Sequence, residues 1–180
     1  MHGIIMVELG KFVEARLGAA GWTKLLADAG LSGRFYVPIE EYPDAEAMTL
    51  IAGATQALGM PQEAVVEEFG KALVPGLVKL FGHLIPPTWK TLDLIAHTED
   101  TIHQSLRRTT KKVQPPALKT TRPSADEVVV TYASKRRLCS LAKGIVQGVA
   151  RHYGERVTIT EPQCMHKGDA ACEIVVRLEK

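Results

Sequence analysis

The chain has 180 residues, 46% of them hydrophobic and 23% charged, with a formal net charge of +2. That is the size of one domain, or of one domain in two lobes, with the composition of a soluble globular protein and a whole-molecule field that argues neither for nor against nucleic acid. No apolar run reaches the roughly 18 residues of a membrane span, no signal-peptide pattern opens the chain, and three cysteines, an odd number, argue against a disulfide framework and for a reducing compartment, the cytoplasm.

Ile5, Leu9, Phe12, Val13 and Leu17 recur at helical spacing and predict a helix over residues 1–18. Gly18 and Gly21 break it, and 22–29 reads as a short second helix. Residues 30–42 read as a loop or a short extended piece. Pro43-Asp44-Ala45-Glu46 opens a third helix that Gly59 ends. Pro61-Gln62-Glu63 opens a fourth, reaching about Gly82, with Pro75 as a kink or break. Glu63, Glu67 and Glu68 complement its N-terminal dipole. Pro86 and Pro87 separate it from a fifth helix over 89–108.

The texture changes at Pro115-Pro116, a hinge-like stop. Residues 118–121 and 127–134 read as strands joined by a turn around 123–126. Residues 138–153 form an amphipathic helix carrying Leu141, Ile145, Val149 and Tyr153 on one face, ended by Gly154. Residues 156–160 and 172–178 read as strands, with a turn at Lys167-Gly168-Asp169. The fold class is α+β. A helical N-terminal lobe (1–110) precedes a C-terminal lobe of antiparallel sheet plus helix (111–180), all in a single domain over 1–180.

Side chains alternate faces along a strand, so Tyr132, Ser134 and Arg136 are expected on one face, with Val128 and Val130 behind them. A phenol, a hydroxyl and a guanidinium in a row suit a ligand with two carboxylates. The plainer reading is a strand end turning polar at the surface. In the fifth helix His103 sits in a stretch with Ile95, Ala96, Ile102 and Leu106, and by helical spacing its near neighbours include Glu99, Asp100 and Arg107. Such an imidazole is an axial haem ligand, a metal ligand or a satisfied core histidine. His97 falls on another face and forms no chelating pair with it.

A helix-borne His103, the Pro115-Pro116 pair a dozen residues on, and Tyr132-x-Ser134-x-Arg136 leading into a helix resemble the H-NOX domains, the haem–nitric oxide/oxygen binding family related to the sensor region of soluble guanylate cyclase. Met1-His2-Gly3-Ile4-Ile5, Gly21-Trp22 and Tyr42-Pro43-Asp44 are similar to the family at matching positions, so the resemblance covers essentially the whole chain. It implies haem b between the two lobes, with His103 on the iron, Tyr132, Ser134 and Arg136 holding the propionates, and Pro116 pressing on the porphyrin. Oxygen-binding members have a distal Tyr. The matching position here is Leu141, with Ile5 and Ile145 as further distal residues, and none of these donates a hydrogen bond. The resemblance therefore implies a sensor that binds nitric oxide, and carbon monoxide, and discriminates against oxygen; Tyr36 or Tyr153 is the open substitute donor. The implied switch is release of His103, relaxation of Pro116 and rotation of one lobe against the other. With no effector domain and no catalytic set apparent, the expected output is a partner in trans, a histidine kinase or a cyclic-di-GMP enzyme.

Cys164 and Cys172 flank a turn in a Cys-x3-Gly-x3-Cys arrangement, and Cys139 lies just after Arg136. Three thiolates and a fourth ligand, His166 or alternatively Glu161, make a closed zinc set, structural or open to thiolate oxidation. This resembles a subset of H-NOX proteins with cysteine-ligated zinc; the alternative is small apolar side chains on a strand pair. Two rival functions remain: a zinc-stabilised scaffold or redox sensor without haem, in which His103 is a core residue, and, more distantly, an enzyme of tetrapyrrole or lipid chemistry using Tyr132 as an acid. Arg107, Arg108, Lys111 and Lys112, and then Lys135, Arg136 and Arg137, form basic clusters. They are a solvated face or a docking surface for an acidic partner, not for nucleic acid, since no aromatic series interleaves them.

Overall fold

The computed structural model describes residues 1–110 and 114–179, so Lys111 and Lys112 of the first basic cluster lie outside the described residues. Helix α1 runs Gly3–Asp28. The break expected at Gly18 is a single non-helical residue (φ 72°, ψ 171°), after which the helix resumes. Two predicted helices thus become one kinked rod. Helix α2, Asp44–Leu58, ends on Gly59 in the left-handed region, φ 63°.

Helix α3, Gln62–Phe81, passes straight through Pro75. A proline there deprives the carbonyl of Lys71, four residues back, of its helical donor. That oxygen faces Arg151, whose Nη2 donates to it at 3.5 Å. Tertiary packing supplies a partner, and the break does not occur.

The predicted fifth helix is three pieces in continuous succession: α4 (Thr91–Thr98), a π-helical turn (Glu99–His103) and α5 (Gln104–Thr109). Four strands follow, β1 (Ala117–Ser124), β2 (Glu127–Ala133), β3 (Val157–Gln163) and β4 (Cys172–Leu178), with helix α6 (Cys139–His152) between β2 and β3. The sheet is antiparallel in the order β1-β2-β4-β3. Its two prolines, Pro123 and Pro162, sit on the edge strands β1 and β3, where a missing N–H costs least.

The core divides differently from the sequence. One cluster joins α1, α2 and α3 through Met6, Leu9, Phe12, Leu50, Phe69 and Leu73, and it takes in Leu138 and Leu141. A second joins Leu92 and Ile95 of α4 to Val128, Val130, Ile174 and Val176 of the sheet and Val146 of α6. So α4 packs with the strands, and α6 serves both clusters. Helix α6 crosses α3 at backbone contact: a Cβ on Gly144 would lie 2.0 Å from the Glu67 carbonyl oxygen, and one on Gly70 2.5 Å from that of Leu141. Only glycine fits at either position. Among the described residues no helix is long and apolar enough to cross a membrane.

Candidate functional site

Between these clusters lies a cavity. Ile4 and Ile5 of α1, Val74, Leu77 and Val78 of α3, and Leu141 and Ile145 of α6 form one set of walls. Leu94, Ile102, His103, Leu106, Pro115 and Pro116 form another, and Tyr132, Ser134, Arg136, Met1 and Gln114 add polar groups. The structure thus gathers His103, Pro116, Tyr132, Ser134, Arg136, Ile5, Leu141 and Ile145 around one space.

His103 ends the π turn, and its Nδ1 lies 3.1 Å from Glu99 Oε2. Burial holds the imidazole below its usual range, against the pull of Glu99. The Glu99 carboxyl is pushed up by burial, but bonds from Arg107, His103 and the Leu118 N–H outweigh that and hold it below the usual carboxylate range. An ionised carboxylate only accepts, so the tautomer that satisfies Glu99 has its proton on Nδ1 and its Nε2 lone pair free for a metal; the Pro116 carbonyl also lies within the ring's hydrogen-bond reach. π turns interrupt α-helices mostly at functional sites.

The polar groups arise by a different route from the one alternation predicts. β2 ends at Ala133, so strand geometry places Tyr132 but not Arg136. Beyond it Ser134 Oγ accepts from the Arg136 N–H at 3.2 Å and the Ser134 carbonyl from the Arg137 N–H at 3.1 Å. Arg137 takes φ 52° to close the turn. This serine turn aims Arg136 back at the cavity. Tyr132 is buried, which pushes its phenol up, and Ser134 and the Leu138 backbone lie within its hydrogen-bond reach. Arg136 Nε donates to Asp44 Oδ2 at 2.7 Å and Nη1 to the Gln114 carbonyl at 2.7 Å. Two of its five N–H donors are thereby used.

Ile5, Leu141 and Ile145 offer no donor, and neither Tyr36 nor Tyr153 lines the cavity. Tyr36 instead donates to Glu46 at 3.1 Å. His2 does line it. That imidazole, 8% exposed, caps α1 and lies 6.0 Å from the Phe81 ring, and burial lowers its pKa. In the sequence His2 and Asp44 stood out only within stretches that resemble the family and, for Asp44, as a helix-opening acid; neither pointed to a place at the cavity.

In the C-terminal half Cys139, Cys164, Cys172 and Glu161 place one ligand atom each within 4.8 Å of one another. Cys164 Sγ is 3.9 Å from Cys139 Sγ and 3.8 Å from Cys172 Sγ. Thiolates on a tetrahedral zinc, with bonds of about 2.3 Å, stand about 3.8 Å apart. Glu161 Oε2 accepts from Lys143 at 2.9 Å, and its buried Oε1 has no hydrogen-bond partner among the described residues. His166 is exposed, its Nε2 2.7 Å from the Arg137 carbonyl oxygen, and it does not join the thiols. The fourth donor of the cluster is therefore Glu161: β3 carries it over the thiols while the turn holding His166 points outward. Burial pushes the Cys139 and Cys172 thiols up, so without a cation they stay protonated.

The family model for haem-NO-binding proteins matches residues 2–161. No curated protein matches the chain in sequence. Among solved structures it is similar to an H-NOX protein from S. oneidensis in the Fe(II)NO ligation state, at 28% identity, with a TM-score of 0.93 and 100% of both chains covered. A mutant of the S. oneidensis protein in the Fe(II) state matches with a TM-score of 0.94 at 28% identity, covering 100% of this chain and 97% of that one. A mutant of T. tengcongensis H-NOX, at 18% identity, shares the fold with a TM-score of 0.87, covering 100% and 98%. The chain belongs to the haem-NO-binding, or H-NOX, family, and is a haem-binding sensor domain. The residues present fit that group, since an apolar slot, one imidazole with its Nε2 lone pair available, and a phenol, hydroxyl and guanidinium together match a flat ring with one metal and two carboxylates.

Proposed function

We propose that this chain is a nitric oxide sensor that also takes carbon monoxide and discriminates against oxygen. His103 holds the iron, Tyr132, Ser134 and Arg136 hold the propionates of haem b, and Pro116 packs against the ring. The observation that carries this is that Ile5, Val74, Val78, Leu141 and Ile145 offer no hydrogen-bond donor, which leaves the His2 imidazole as the polar ring on that side of the cavity. Ferrous haem, when bound, supplies the site that captures the gas. Oxygen needs a donor to stabilise the charge it acquires, and nitric oxide needs one much less. Release of His103 from that iron would untie the π turn from the cavity, let Pro116 relax, and change how the two lobes of the domain meet. A partner protein, a histidine kinase or a cyclic-di-GMP enzyme, reads that change in the cytoplasm.

The test is the absorption spectrum of the reduced protein before and after nitric oxide, and separately in air. A five-coordinate ferrous spectrum that shifts with nitric oxide and does not persist in air is expected. Persistence in air overturns the discrimination, and a protein that takes up no haem overturns the whole reading.

We further propose that Cys139, Cys164, Cys172 and Glu161 hold zinc. The sulfur separations and the unpartnered buried Glu161 oxygen favour it. Metal content of the purified protein, about one zinc per chain, tests it.

A further inference from the structure

We propose that Glu99 is a positioning residue that sets how firmly His103 holds iron, and that it ties this bond to the start of β1. The inference rests on the reading of His103 as the iron ligand. Glu99 Oε2 lies 3.1 Å from His103 Nδ1, with the two side chains only 22% and 13% exposed, so water competes little for that bond. A histidine that gives its second N–H to a carboxylate is fixed in tautomer and orientation, and it becomes a more basic ligand. The neutral alternatives, a water or a backbone carbonyl, polarise the ring less.

Two further contacts make Glu99 a fixed anion rather than a passing neighbour. Arg107 Nη1 donates to Oε1 at 2.5 Å. The Leu118 N–H donates at 3.2 Å to Oε2, the oxygen that faces His103. Arg107 also reaches the Pro116 carbonyl at 3.4 Å. The other acid of this turn, Asp100, is exposed and accepts from Gln104, so it takes no part. One carboxylate oxygen is thus shared between the imidazole and the backbone two residues past Pro116. Were His103 to leave the iron and its ring to turn, the bond from Leu118 to the shared oxygen would have to readjust. Conversely, a partner that moves β1 changes the ring's hydrogen bond.

The test uses the haem-loaded protein and the iron–histidine stretching frequency in the ferrous state, with the midpoint potential and the rate of His103 release after nitric oxide. Glu99→Gln is expected to lower the frequency, raise the potential and speed release about tenfold, in the range seen when such partners of a ligating histidine are changed. Glu99→Asp should recover part of the shift. Arg107→Gln should move the frequency the opposite way, because the carboxylate then has one cation fewer to satisfy. A residue that only packs would not produce shifts of opposite sign. Frequencies and release rates equal to the parent's in all three variants overturn the proposal. A parent protein with haem but no iron–histidine band overturns the reading of His103 itself, and this proposal with it.

Discussion

Asp44 and Arg136, 92 residues apart, close the polar part of the cavity together: Arg136 Nε donates to Asp44 Oδ2 at 2.7 Å. The same carboxylate lies 2.8 Å from the amine of Met1 through Oδ1. Burial pushes the Asp44 carboxyl up, but the two cations outweigh it and hold it below the usual range. One acid at the start of α2 therefore joins the N-terminus to the turn after β2. Asp44→Asn should lower the melting temperature of the haem-free protein by a few degrees, about 1 kcal/mol, since the Asp44 side chain is 45% exposed. Arg136→Leu should speed haem loss to a scavenger more than Asp44→Asn does. Equal loss rates would show that Arg136 does not hold the group.

Acid should destabilise the haem-free fold from near neutrality downward. Burial lowers the pKa of both His2 and His103 from the usual 6.5, so the unfolded chain takes up protons first. Stability is full above about pH 6.5 and falls as pH drops toward the folded values. Asp44 and Glu99, held below 3.8 and 4.5, add a loss at lower pH, as pH falls through their folded values. Melting temperatures across this range should fall monotonically, and His2→Phe should flatten the upper limb. A stability that rises on acidification below neutrality contradicts the burial of both imidazoles.

Gly144→Ala should cost about 3 kcal/mol, because its Cβ would meet a backbone oxygen that has no rotamer to change. Denaturant unfolding reads this directly. Gly154→Ala, with open space around it but φ +68°, should cost less.

Leu141→Tyr brings a phenol to a wall that has no donor. The reduced variant should hold a spectrum in air that the parent does not, with little change in its response to nitric oxide. A variant that autoxidises as the parent does would place the discrimination elsewhere, and His2 is then the residue to change next.

For the cysteine cluster, Cys164→Ala should abolish zinc retention, since Cys164 stands close to both other sulfurs. Glu161→Gln should weaken it about tenfold, and His166→Ala should leave it unchanged. Metal analysis after dialysis against a chelator separates the three.

Much of this architecture could be read from residue order. Gly59 ended α2, Pro115-Pro116 marked the passage from helix to strand, and the Val128–Val130 run was a strand. The H-NOX resemblance rested on His103 and Tyr132-x-Ser134-x-Arg136, which the structure brings to one cavity. What could not be read depended on distance in space. Pro75 looks like a helix break until Arg151 is seen against the freed Lys71 carbonyl. Ser134 and Arg136 look like strand residues, because a serine turn and a strand end share the same composition. Asp44 is an ordinary helix-opening acid until folding sets it beside Arg136. His166 is nearer than Glu161 to the thiols along the chain, yet strand pairing and the outward turn reverse the choice.

The glycine contact between α3 and α6 makes the cavity mechanically lopsided. Val74 and Val78 stand on one of these helices and Leu141 and Ile145 on the other, and their backbones already touch at Gly70 and Gly144. That pair can yield neither by rotamer change nor by sliding closer, so it acts as an abutment. The facing run through His103 ends in a short six-residue helix and is held to β1 through side-chain bonds. Of the two walls, the α3–α6 pair therefore has the less room to shift, and the run through His103 is the one joined by side-chain bonds to the edge strand β1.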